Sequence, residues 1–237
     1  MEINPAEVTV FILAGGRGTR LQSIWEGPKA LIPVEGRPFL DYLLDDLAAA
    51  GFERLVLLTG RKGEDLEAAF QGRELVSLRE TSPLGTGGAL RAASPLAVEW
   101  NLILNGDSYG PISWDHFLRA GAGSSLPFLL VATEMPDAGD YGTLRIDAGG
   151  RVTEFVEKSG GGPGLVNAGI YLAHRDFFRE DLSEEAGEDP LSLERTVLPG
   201  MAAGGRLGAW MTGEKFWDVG TPERLEAFRR WIQRGRG

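Results

Sequence analysis

The stretch Val8-Thr9-Val10-Phe11-Ile12-Leu13-Ala14-Gly15-Gly16-Arg17-Gly18-Thr19-Arg20-Leu21 decides how the rest of the chain is read. Residues 8–13 form an unbroken apolar and β-branched run, the pattern of a strand buried on both faces. Three glycines follow at once. They let backbone N–H groups approach a polyphosphate closely, and a following helical turn adds its positive end. Arg20 supplies a planar fork of donors for phosphate oxygens. An ordinary tight strand-to-helix turn would explain the glycines, but not the arginines at 17 and 20 or the Pro28-Lys29 that follows. Two better-known glycine loops are excluded by spacing. A Walker loop needs Gly-Lys-Ser/Thr where Gly18-Thr19-Arg20 stands, and a dinucleotide fingerprint needs glycine where Leu21 stands.

Downstream, Pro38 opens a helix carrying Leu40, Leu43, Leu44 and Leu47 at helical spacing, stopped by Gly51. A second buried strand reads Leu55 to Leu58. Residues 64–70 read as helix, 75–78 as a short strand and 88–93 as helix. The apolar run Leu102-Ile103-Leu104 then ends in Asn105-Gly106-Asp107. Strand and helix alternating at this spacing imply right-handed crossovers and a parallel sheet. Ligands of such sheets sit beyond the carboxyl ends of the strands, where both the glycine loop and Asn105-Gly106-Asp107 fall.

From about residue 128 the texture changes. Residues 128–132, 144–146, 152–156 and 166–172 read as strands with few long helices between them, extending the same sheet. Phe177-Phe178 and residues 191–198 suggest two short helices, and Pro222 to Gln233 a closing helix with Leu225, Phe228 and Trp231 inward. Gly160 to Gly164 reads as a flexible loop within the fold. Of the six tryptophans, those at 25, 100, 114, 210 and 231 are read as packing residues.

Composition bounds the function. The 237 residues are 43% hydrophobic and 24% charged, ordinary for a globular chain. No apolar run approaches the roughly 20 residues that span a bilayer, and the N-terminus lacks a signal-peptide pattern. There is no cysteine, which excludes disulfides, thiolate metal sites and cysteine nucleophiles. These features fit a cytoplasmic protein. A net charge of −10 disfavours nucleic acid as a partner but leaves room for a small phosphorylated ligand held by a few converging cations.

The run from Leu13 to Leu21, then Pro28-Lys29 and Pro33-Val34-Glu35-Gly36-Arg37-Pro38, closely resembles the signature of the sugar-1-phosphate nucleotidyltransferases. Further matches occur in order: Pro83-Leu84-Gly85-Thr86-Gly87-Gly88-Ala89, Leu104-Asn105-Gly106-Asp107-Ser108, Glu157-Lys158, Asn167-Ala168-Gly169-Ile170-Tyr171 and Trp217-Asp218-Val219-Gly220-Thr221-Pro222. The likeness spans roughly residues 8 to 230, and within the family it is greatest to short guanylyltransferases of D-glycero-D-manno-heptose 1-phosphate.

The resemblance implies one Rossmann-like α/β domain over residues 1–237. Its mixed, mainly parallel central sheet would carry helices on both faces, with nucleotide over residues 1–125 and sugar phosphate over 126–237. It implies that Leu13, Ala14, Gly15, Gly16, Gly18 and Thr19 hold the nucleotide and that Arg20 steadies the β- and γ-phosphates. Lys29 would stabilise charge at the α-phosphorus, and Gly85, Thr86 and Gly87 would line the base pocket. Asp107 and Asp218 would hold Mg2+, a hard cation that favours carboxylate oxygens. Lys158 would grip the sugar phosphate, Glu157 and Asn167 would bond sugar hydroxyls, and Tyr141-Gly142 would close over the sugar.

The implied partners are GTP, or another nucleoside triphosphate, and a heptose 1-phosphate, with no nucleic acid and no membrane. Assembly into a homo-oligomer is compatible with this reading. Mannose 1-phosphate, or another hexose phosphate taken with UTP or CTP, is the alternative substrate. A catalytically silent sensor or assembly subunit would have lost Arg20, Lys29, Asp107, Lys158 or Asp218, and all five are present. Two features depart from the family pattern: Leu21 to Pro28 is one residue short and carries Trp25-Glu26-Gly27, and Ser159 is followed by a glycine-rich run.

Overall fold

A computed structural model describes residues 2–16, 18–60, 62–157, 161–183 and 190–235. β1 (Thr9–Leu13) lies in the middle of a nine-stranded sheet. Its side chains alternate between two cores: Val10 and Ile12 face one, Phe11 the other, and all three are fully buried. The glycine loop then enters only a single 3-10 turn, Thr19–Leu21, and not a long helix.

β2 (Pro33–Val34) and β3 (Arg37–Pro38) form a tight hairpin, with Glu35 and Gly36 at positive φ in the turn. α1 (Phe39–Ala49) follows, with all four leucines of the expected stripe buried and Gly51 at φ +85 ending it. The chain continues through β4 (Arg54–Thr59), α2 (Gly63–Ala69), β5 (Leu75–Arg79), α3 (Gly85–Ala92), β6 (Trp100–Asn105) and β7 (Ser108–Tyr109). β4 and β6 flank β1 in parallel, with β5 beyond β4. The chain thus moves outward from β1 to β5 and then returns to the other side of β1, creating the reversal in strand order where ligand crevices form.

α4 (Trp114–Gly123) was not expected from the sequence, although Trp114, Phe117, Leu118 and Gly121 stand at helical spacing and are all buried. Then come β8 (Phe128–Met135), β9 (Gly142–Ile146), β10 (Val152–Glu157), β11 (Gly164–His174), α5 (Leu198–Ala203), β12 (Leu207–Met211), β13 (Trp217–Asp218) and α6 (Pro222–Gln233). β11 runs antiparallel to β6 over Ile170–His174 and joins the second half of the chain to the first. Its other edge carries β8, to which β12 is parallel, and the β9–β10 hairpin joins at Val166 and Thr143. The sheet is therefore mixed: parallel around β1, largely antiparallel around β11. α1, α4 and α6 pack on one face, and α3 and α5 on the other.

Three local expectations shift. α3 begins at Gly85 rather than Gly88, because Gly87 and Gly88 donate their N–H groups to Leu191 O at 2.9 and 3.2 Å. The two short helices expected after residue 177 are π-wound turns, Phe177–Asp181 and Leu193–Val197, the second running into α5. Trp231 is half-buried and stacks on Trp217 with ring centroids 4.2 Å apart. Trp25 is a packing residue as read: its indole N–H donates to Pro28 O at 2.8 Å and closes the short loop before Lys29. Among the described residues no helix is long and apolar enough to cross a membrane.

Candidate active site

The carboxyl ends of β1 and β6 are tied together. Leu13 and Asn105 are register partners, and Gly106 N donates to Leu13 O at 2.9 Å. A cavity of about 640 Å³ opens above them. Leu13, Ala14, Gly15 and Gly16 line it from the loop, with Lys29, Asp107 and the start of α3 at Gly85 and Thr86. Gly18 has φ +61, and a Cβ there would lie 3.2 Å from Lys29 Cγ. Glycine at 18 therefore lets the loop turn left-handed and lets Lys29 lie along it.

Lys29 comes from a 3-10 turn opened by Pro28, and its Nζ lies 2.7 Å from Asp107 Oδ2. Asp218 reaches the same region through the β7–β13 pair, where it faces Ser108, while Val219 N donates to Asp107 O at 2.9 Å. The side chain of Asp218 is mostly buried and well supplied with donors. Its Oδ1 accepts from Gly220 N at 2.7 Å and from Arg224 at 3.3 Å, and its Oδ2 accepts from the Tyr141 hydroxyl. Burial, then the Asp218 carboxylate, push the Tyr141 hydroxyl far above its usual range, so it remains a donor. Burial works against the Arg224 charge, yet Asp218 raises its guanidinium overall. Arg20 is not among the residues lining the cavity and pairs with Asp140 at 3.2 Å.

On the sheet's other half, Glu157 and Gly142 are register partners, and a Cβ at 142 would sit 3.1 Å from Glu157 Oε2. Asn167 is buried at a bulge in β11. It accepts from Gly169 N at 3.0 Å and donates to Tyr171 OH at 2.8 Å. Lys158 lies outside the described residues.

A family model described as Nucleotidyl transferase matches residues 9–234. The chain belongs to the nucleotidyl transferase family. Aligned over 92% of its length, it is 31% identical to a mannose-1-phosphate guanylyltransferase of Mycobacterium tuberculosis, of which it spans 62%. It is also 31% identical, over 94% of its length and 97% of the relative, to a D-glycero-alpha-D-manno-heptose 1-phosphate guanylyltransferase of Aneurinibacillus thermoaerophilus. Among solved structures, HddC from Yersinia pseudotuberculosis complexed with GMP-PN superposes with a TM-score of 0.81 at 28% identity, covering 95% of this chain and 99% of that one.

The nucleotidyl transferase places some expected residues differently. Gly85 lines the cavity, but its φ of +76 and a Cβ position 2.4 Å from Leu191 O show that its glycine is required by Leu191. Gly87 turns to the same residue and does not line the cavity. The Thr86 hydroxyl donates to Glu194 at 2.8 Å and accepts from Leu193 N at 2.8 Å. Polar residues that the sequence did not single out include Glu80 and Glu194 in the cavity lining, and Asp140 and Arg224, which pair with each other while Arg224 also pairs with Asp218. Glu80 follows the end of β5, so the rule that ligands meet strand carboxyl ends could have found it. Nothing local in the sequence marks Asp140.

Proposed function

We propose that this nucleotidyl transferase joins a sugar 1-phosphate to GTP and releases pyrophosphate, with D-glycero-α-D-manno-heptose 1-phosphate as the favoured sugar. The observation that carries this reading is the convergence of the Leu13–Gly16 loop, Lys29 and Asp107 on one cavity, with Asp218 joined to the same corner by β13. In this reading the molecule works as one unit, its nucleotide over the first half of the chain and its sugar phosphate over the second.

The nucleophile is the ionised phosphate of the sugar, whose oxygen attacks the α-phosphorus as the bond to pyrophosphate breaks. No general base or covalent residue is needed. The backbone of the glycine loop and Arg20 hold the β- and γ-phosphates, and Lys29 neutralises charge growing at the α-phosphorus. Tyr141, Glu157, Lys158 and Asn167 are assigned to the sugar phosphate.

Among the described residues no group of three or more acidic or histidine side chains could enclose a metal ion. Asp107 and Asp218 are the pair assigned to magnesium, which accepts few carboxylates and completes its shell with water and phosphate oxygens. Bound there, magnesium would add positive charge beside the phosphates.

The second reading is a mannose-1-phosphate guanylyltransferase, favoured by the mycobacterial relative. The two sugars differ by one carbon, which changes few contacts. The deciding experiment is pyrophosphate release with magnesium, pairing GTP, UTP, CTP, ATP and dTTP with heptose and hexose 1-phosphates. Fast release only with GTP and the heptose phosphate supports the first reading, and fast release with mannose phosphate the second. No release from folded protein with any pair would refute both. The same setting, small charged metabolites without a membrane, suits a cytoplasmic enzyme.

A further inference from the structure

Next to Asp218 lies an ion-pair arrangement of which the proposed mechanism uses only Arg20. Asp140 Oδ2 is shared by two guanidinium groups, Arg20 at 3.2 Å and Arg224 at 2.8 Å. The two arginines come from opposite ends of the chain, one beside the glycine loop and one in the first turn of α6. Arg224 is fixed in place: its Cζ stands 4.5 Å over the Tyr141 ring, and its other nitrogen bonds Asp218. Arg20 and Asp140 are each about half exposed.

A carboxylate is a poor match for this pair. Each guanidinium carries five N–H donors in a planar fork, and the shared Asp140 oxygen engages only one nitrogen of each. A phosphate group presents three oxygens and more charge, so it can engage both forks at once. Half-exposed ion pairs such as Arg20–Asp140 are weak and easily exchanged.

We propose that Arg20 and Arg224 form a two-arginine clamp for a substrate phosphate, and that Asp140 is the internal anion which holds the clamp until that phosphate displaces it. Arg224 is thereby a phosphate-binding residue in addition to its hold on Asp218. The phosphate belongs either to the nucleotide or to the sugar 1-phosphate, and both share the chemistry the clamp reads. This rests on the proposed function for its choice of ligands, but the clamp itself needs only a polyanion.

The test is calorimetric titration of the whole protein with GTP, mannose 1-phosphate, guanosine and inorganic tripolyphosphate. Asp140→Asn removes the competing charge and is expected to tighten GTP or mannose 1-phosphate by about threefold to fivefold while leaving guanosine unchanged. Whichever substrate tightens identifies the source of the phosphate. Arg224→Gln in the Asp140→Asn background is expected to abolish the gain, and Arg224→Lys serves if the glutamine variant does not fold. The proposal is overturned if Asp140→Asn leaves every phosphate ligand unchanged, if guanosine tightens equally, or if the gain survives loss of Arg224. Wild-type protein that binds neither GTP nor sugar phosphate refutes the proposed function alone. Tripolyphosphate then still reads the clamp, tightening with Asp140→Asn if it exists and not if it does not.

Discussion

Lys29 Nζ sits 2.7 Å from Asp107 Oδ2, joining the turn after the glycine loop to the end of β6. The cation assigned to the α-phosphorus is thus paired with a carboxylate assigned to the metal. Lys29→Met should lower kcat by about 100-fold to 1,000-fold, the usual cost of removing a charge-stabilising group, with a much smaller change in GTP affinity. Steady-state kinetics together with calorimetry separate the two, and a variant with wild-type kcat would remove Lys29 from the chemistry.

Asp218 is held by Tyr141, Gly220 and Arg224, so its carboxylate has a fixed orientation. Asp218→Asn keeps the shape and loses the charge. It should raise the magnesium concentration for half-maximal turnover by at least about tenfold. A magnesium titration of pyrophosphate release measures this, and an unchanged midpoint would sink the metal role.

Glu80 offers a carboxylate to the cavity while one of its oxygens accepts from Leu84 N at 3.0 Å. Guanine carries an N1–H and an exocyclic amine on one edge, and a carboxylate accepts from both. Glu80→Gln should cut kcat/KM for GTP by about 10-fold to 100-fold and narrow its advantage over ATP. Equal losses with both nucleotides would show that Glu80 does not read the base.

Gly169 lies at the β11 bulge with φ +71, and a Cβ there would stand 2.4 Å from Asn105 Nδ2. Alanine would strain the backbone and push against the end of β6 that carries Asp107. Gly169→Ala is expected to cost at least about 2 kcal/mol in urea unfolding and to reduce turnover. A variant as stable as wild type would mean that the bulge relaxes freely.

Much of the parallel half was legible because its signals are local. Leu40, Leu43, Leu44 and Leu47 repeat at helical spacing, and all face the core. The run at 102–104 became β6, with Asp107 just beyond its end. α4 was missed although Trp114, Phe117 and Leu118 carry the same periodicity, since its two glycines and short length disguise it. Gly85 and Gly87 are expected at the base pocket, and the structure adds a second demand on both, since a Cβ at 85 would stand 2.4 Å from Leu191 O and one at 87 would stand 3.0 Å from Leu191 Cγ. That partner lies more than a hundred residues away, and no local pattern names it.

By itself the sequence determined that a buried strand leads into a glycine turn, that cations follow it, and that a carboxylate ends a second buried strand. Those features are set by side-chain burial and backbone freedom, which act over a few residues. The tertiary structure decided which of them meet. Return of the chain to the far side of β1 placed Asn105 beside Leu13, and the β7–β13 pair brought Asp218 to Asp107. The packing of α6 set Arg224 against Tyr141, Asp140 and Asp218. Such meetings depend on strand order and register, which are fixed by the closing of the whole core and not by any segment alone.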